Sequence, residues 1–128
     1  MPVSVDIDAG TNLITYTATG EVTIDEMTAA FESIFDHPGF HPGMHSLCEA
    51  KDAQFGEMTV ADIHHLVTSL ESNSERRGTG FRVALLVRGN AEFAVSSLFE
   101  MRTQSLPFEV QVFRSTREAR EWLGIPVA

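Results

Sequence analysis

The sequence predicts one α/β domain with elements in the order ββαβαβαβα. Three observations lead there. Short β-branched or apolar runs alternate with segments whose apolar residues recur at helical spacing. The first two strand-like runs are joined by a short turn and the later ones by helices. That pattern implies an antiparallel hairpin followed by a largely parallel sheet with right-handed crossovers. Finally, 128 residues with 43% hydrophobic content make one core, and no linker or composition shift divides residues 1–128.

Each element has a local reason. Val3, Val5 and Ile7 alternate with polar residues, as a half-buried strand does. Asp8-Ala9-Gly10-Thr11-Asn12 is a turn, and Leu13 to Thr19 is β-branched and aromatic, a second strand. Gly20 ends it. Thr23 with Glu26 forms a capping box for a helix whose apolar face is Ile24, Met27, Phe31, Ile34 and Phe35. Asp36-His37-Pro38-Gly39 stops that helix. Ser46 to Ala50 is a short strand. Thr59 caps a second helix with a stripe of Val60, Ile63, Leu66, Val67 and Leu70. Glu71 to Gly80 reads as a polar turn. Phe81 to Val87 is the longest apolar run, the pattern of a central parallel strand. Asn90 is the expected cap of a third helix, with Ala91, Ala94, Val95, Leu98 and Met101 as its core stripe. Pro107 separates it from a last strand, Phe108 to Phe113. Ser115 with Glu118 is another capping box, opening a helix with Ala119, Trp122 and Leu123 inward. Gly124 and Pro126 end it.

Charge excludes some function classes. The net charge is −9, which opposes phosphate-backbone binding and attraction to anionic membranes. The basic clusters, Arg76-Arg77 and Arg114 to Arg120, read as helix-end or helix-face charges. No apolar run reaches membrane-spanning length, and Met1 to Asp6 lacks the pattern of a secretion signal. Cys48 is the only cysteine and lies in an apolar run, where a buried inert thiol is expected. The cytoplasm is the default compartment.

The polar residues nominate three places. His37, His41 and His45 are evenly spaced in a Pro/Gly-rich loop, and imidazoles ligate transition metals. No helix or strand sets their geometry and no Cys or carboxylate completes a site, so no metal is expected. His64 and His65 are adjacent on a helix and cannot share a face. The second place is the carboxyl edge of the parallel strands, where open α/β sheets bind ligands. Three segments end there: Lys51 to Gly56, Arg88 to Asn90, and Arg114 to Thr116. They would gather Lys51, Asp52, Arg88, Asn90, Arg114 and Ser115, with three helix N-termini, in a setting suited to a small anion. The plainer alternative is caps and solvated strand ends. The third is Phe93 and Phe99, which fall off the third helix's stripe. Either a second copy of the chain or a neighbouring loop would cover them. Gly-x-Ser-x-Gly, Walker and Rossmann motifs are absent, so no catalytic residue or cofactor is nominated.

Several motifs together resemble a known group. They are Gly20-Glu21-Val22-Thr23, Phe40-His41-Pro42-Gly43, Glu49-Ala50-Lys51-Asp52-Ala53, and Val112-Phe113-Arg114-Ser115 with Glu118-Ala119 and Trp122-Leu123. In this order, over nearly the whole chain, they resemble the SpoIIAA-like group. Its members are mostly uncharacterised bacterial proteins related to the STAS anti-sigma-factor-antagonist domain. The resemblance implies a mixed five-stranded sheet flanked by four helices. STAS antagonists carry a phosphorylatable Ser just past the third strand. The matching stretch, Glu49 to Gln54, has no Ser or Thr and has Lys51 in about that place, so this phosphoswitch is not expected. The fold also resembles the CRAL-TRIO lipid-binding domain. The expectation is a noncatalytic, homodimeric, STAS-like regulatory or interaction module. It would meet a protein partner through the carboxyl edge and the third helix. The alternative is a small-ligand or lipid-binding protein in the CRAL-TRIO style, with an apolar pocket beneath a movable helix. An enzyme is the third reading.

Overall fold

The structure is a computed structural model that describes residues 2–127; Met1 and Ala128, the ends of the expected 1–128 domain, lie outside the described residues. A hairpin opens it. β1 (Val3–Asp8) pairs antiparallel with β2 (Leu13–Glu21) around a turn in which the Gly10 amide donates to the Asp8 carboxylate at 2.9 Å. β3 (His45–Gln54), β4 (Arg82–Leu86) and β5 (Glu109–Phe113) then add in parallel. The result is the expected mixed five-stranded sheet.

Spatial order follows chain order, β1-β2-β3-β4-β5. Every crossover therefore steps the same way, and connections of one hand place their helices on one face. Burial agrees. Met27 and Ala30 of α1 (Ile24–Ser33), Ile63, Leu66 and Val67 of α2 (Val60–Ser72) and Phe99 share a core with Ile14, Tyr16, Cys48, Val83 and Leu85. On the opposite face, Ala119 and Leu123 pack on Leu13, Leu47, Ala84, Leu86 and Phe113. Because strand order never reverses, the sheet has none of the crevice that a switch of winding direction opens.

Local chemistry explains where the helices start. Thr23 and Thr59 form reciprocal capping boxes with Glu26 and Asp62. Ser115 accepts from the Glu118 amide at the start of α5 (Thr116–Leu123).

Several expectations are corrected. The α-helices number five among the described residues, not four, because the polar segment after α2 contains a one-turn helix, α3 (Ser74–Arg77); a 3-10 turn, Ile34–Asp36, also follows α1. β3 runs on to Gln54, so Lys51 and Asp52 belong to the strand; Asp52 pairs with Thr19 beyond a register shift in β2. Asn90 does not cap α4 (Asn90–Arg102) but is its first helical residue, with Gly89 at the cap. Nor does α4 bury the expected stripe. Its buried residues are Glu92, Ser96 and Phe99, while Met101 is 60% exposed. Apolar residues are spread around this helix, so hydrogen bonding settles which face turns inward. The Glu92 carboxylate accepts from the Phe55 amide at 2.9 Å and Glu100 accepts from the Val112 amide at 3.0 Å. Val60, counted in the stripe of α2, is exposed in its first turn.

Candidate functional site

The carboxyl edge assembles much as its residue types imply. Arg88, just past β4, meets the Asp52 carboxylate of β3 at 3.1 Å. The Lys51 ammonium donates to the Thr116 hydroxyl at 2.9 Å, linking β3 to α5. Arg114, just past β5, donates to the Asn90 side chain at 2.9 Å, and its guanidinium lies 4.5 Å from the centre of the Phe93 ring. Ser115 is engaged with its own helix. Each cation thus has a partner inside the chain, and the Arg88 and Asp52 side chains are 67% and 66% exposed. This is an open, cross-linked polar surface rather than a vacant anion cradle.

The aromatic candidates separate. Phe99 is buried in this chain's own core, which removes it from the expected interface. Phe93 is half-buried under Arg114.

The three histidines serve the backbone individually. His37 Nδ1 accepts from the Gly39 amide at 2.9 Å, and His45 Nδ1 accepts from the Arg82 amide at 2.9 Å. The His41 ring nitrogen lies 3.3 Å from the Pro42 carbonyl oxygen. Among the described residues, no group of three His, Cys, Asp or Glu side chains could hold a metal ion. His64 and His65 are both exposed.

A second site was missed in the sequence. Arg77, counted with Arg76 as a helix-end charge, is only 8% exposed. The chain turns sharply behind it: Gly78 has φ +95°, and the Gly43 amide donates to the Arg77 carbonyl at 2.9 Å. That turn folds the guanidinium inward. Nη2 donates to the Met44 carbonyl at 2.6 Å and the Ser46 hydroxyl at 2.9 Å, and the group lies 3.8 Å from the Phe81 ring centre. The other terminal nitrogen, Nη1, is buried with no hydrogen-bond partner.

The electrostatics are unusual for a buried cation. None of the ion pairs among the described residues includes Arg77. Burial pulls its pKa down to about 10, against the opposing pull of Tyr16 and Cys48. Burial also raises the Tyr16 phenol and pushes the Cys48 thiol up to about 12. At neutral pH both are therefore uncharged, and the guanidinium keeps its charge without a counter-ion among the described residues.

Arg77 lines a cleft of about 50 Å³, partly open to solvent, with Ser46, Phe31, Phe35, Leu70 and Phe81 among its walls. A second cleft of about 50 Å³, walled by Met27, Met58, Leu66 and Val95, adjoins it. The two share Tyr16, Phe31, Cys48 and Phe99.

Comparison with solved structures bears on the architecture. An uncharacterized protein of the DUF3478 family from Shewanella loihica PV-4, described as having a SpoIIAA-like fold, superposes with a TM-score of 0.59. The match covers 94% of this chain and 93% of that one. The fold is SpoIIAA-like. Identity is 17%, so what the two chains share is the architecture. No family model and no curated protein matches the sequence. No helix of this chain, among the described residues, is long and apolar enough to cross a membrane.

Proposed function

We propose that the protein is a noncatalytic, STAS-like binding module that works in the cytoplasm through its carboxyl edge. The observation that carries this is the set of cross-loop contacts, Asp52 to Arg88, Lys51 to Thr116 and Asn90 to Arg114. They hold one exposed array of cations on a chain whose net charge is −9. Local charge of sign opposite to the whole molecule steers and orients a partner. The partner in this reading is a protein with an acidic face. Neither described cleft includes any of these residues, and exposed side chains paired with one another supply neither nucleophile nor base. The test is cross-linking mass spectrometry in native extract, comparing the wild type with Arg88→Glu/Arg114→Glu. Loss of a reproducible partner supports the reading; an unchanged partner set overturns it.

Self-association belongs to the same reading. Ser97 and Met101 follow one another at helical spacing on α4, one turn on from Phe93, which packs in part against this chain's own core, and Met101 is 60% exposed. A second copy would cover that stripe. A monomer mass by light scattering at high concentration removes it.

A second reading, a small-ligand-binding protein in the CRAL-TRIO style, is favoured by the apolar cleft beside the unpaired Arg77.

A further inference from the structure

A charge buried in a protein core is costly unless it is paired and hydrogen-bonded, and the penalty amounts to several kcal/mol. Arg77 meets half of that requirement. Nη2 has two acceptors, the aromatic faces of Phe81 and Phe40 lie 3.8 Å and 6.0 Å from the guanidinium carbon, and no carboxylate among the described residues pairs with it. Nη1 is left buried with no acceptor. The deficit is one hydrogen-bond acceptor and one negative charge, at a residue that lines a cleft partly open to solvent.

We propose that this cleft binds a small apolar monocarboxylate, held head-first by Arg77. The proposal rests on the second reading above, that the cleft takes a ligand. The class follows from three features. A guanidinium matches the planar geometry of a carboxylate, and a charge-assisted bond of this kind is about twice as strong as a neutral one. A single unpaired cation balances one negative charge, so a phosphate dianion would leave its second charge buried. Polar groups of the cleft, Ser69, Asn73, Ser74 and the exposed Glu32, share its wall with Phe31, Phe35, Leu70 and Phe81, and this aromatic and aliphatic part favours an apolar tail.

Size narrows the class. Each cleft holds about 50 Å³, and the two share the walls Tyr16, Phe31, Cys48 and Phe99. A water needs only ~10–15 Å³ on such a measure. The Arg77 cleft therefore takes a carboxylate with its first few carbons.

The experiment titrates the full chain with hexanoate and with its uncharged isostere hexanamide, following backbone amide resonances by NMR. Hexanoate is expected to shift Ser46, Cys48 and Phe81, with hexanamide roughly tenfold weaker or more. Arg77→Met is expected to abolish the preference. If that variant fails to fold, the wild-type comparison of acid and amide still decides. Equal binding of both probes leaves the ligand reading standing and overturns the carboxylate. If neither probe shifts those resonances, both are overturned.

Discussion

Arg77 donates from Nη2 to the Ser46 hydroxyl at 2.9 Å, joining the one-turn helix α3 to the start of β3, the central strand. The bond is buried and charged on one side, which puts it among the strong ones, at about 1.5–3 kcal/mol. Ser46→Ala is therefore expected to cost about 1–3 kcal/mol in urea denaturation. In an Arg77→Met background the same change should cost less than about half as much, because its partner is gone. Equal cost in both backgrounds would show that Ser46 acts through something other than Arg77.

Gly78 makes that burial feasible. Its φ is +95°, and a Cβ placed there would meet the Gly43 amide nitrogen at 2.5 Å and the Pro42 carbonyl carbon at 3.1 Å. Both neighbours are backbone and cannot swing away. Gly78→Ala should lose about 2 kcal/mol or more, combining left-handed backbone strain with the clash. Gly20→Ala has a similar φ of +69° but open space around it, so its cost should stay near the ~1–2 kcal/mol of strain alone. A thermal melt of each variant separates the two contributions.

These two positions also show what was legible in the sequence. The α/β order and the caps at Thr23 and Thr59 could be read because they rest on local chemistry: alternating apolar runs, and a hydroxyl three residues before a carboxylate. Arg77 could not. Its side chain is drawn inward by acceptors on Met44 and Ser46, more than thirty residues away in the chain. Nothing in Ser74-Glu75-Arg76-Arg77 distinguishes the buried arginine from its neighbour, whose guanidinium lies over Phe35. The inward face of α4 was hidden for the same reason, since Glu92 and Glu100 reach amides on Phe55 and Val112. The carboxyl edge lies between these cases. Topology brought its residues to one end, and only the folded structure shows Asp52 with Arg88 and Asn90 with Arg114.

The two phenylalanines of α4 should separate sharply in stability. Phe99 is 5% exposed in the main core, and a fully buried Phe→Ala change costs about 3–5 kcal/mol. Phe93 is only half-buried beneath Arg114, so Phe93→Ala should cost less than about 2 kcal/mol. Urea midpoints read this directly. The reverse order would place Phe93, not Phe99, in the core.

His45 should make the protein lose stability in mild acid. Its Nδ1 accepts from the Arg82 amide at 2.9 Å, which requires an unprotonated nitrogen. Burial, then Arg82, then Arg77 hold its pKa below the ordinary 6.5. The unfolded chain therefore takes up this proton before the folded one. The stabilisation is complete above about pH 6.5 and declines as pH falls below it. His45→Gln keeps an acceptor without titrating, so its stability should fall less between pH 7 and pH 5. Parallel curves would mean His45 contributes nothing to the acid limb.

Cys48 should govern the first part of the alkaline limb. Its thiol is free and buried, and burial pushes the pKa from 9.0 to about 12. Above pH 9 the unfolded chain loses this proton while the folded chain keeps it, so stability falls as pH rises, by up to about 1.4 kcal/mol per pH unit. Tyr16 is raised from 10.0 and adds in the same direction at higher pH, whereas Arg77, lowered to about 10, opposes both. Cys48 therefore acts nearly alone between about pH 9 and pH 10. Cys48→Ala should be less stable than the wild type at pH 7, because it leaves a void in the core. That gap should narrow by about 1 kcal/mol by pH 10, as the wild type loses a contribution that alanine never had. Guanidinium titrations at pH 7, 9 and 10 measure the narrowing, and a constant gap would place an ionisable thiol somewhere other than the core wall shared by the two clefts.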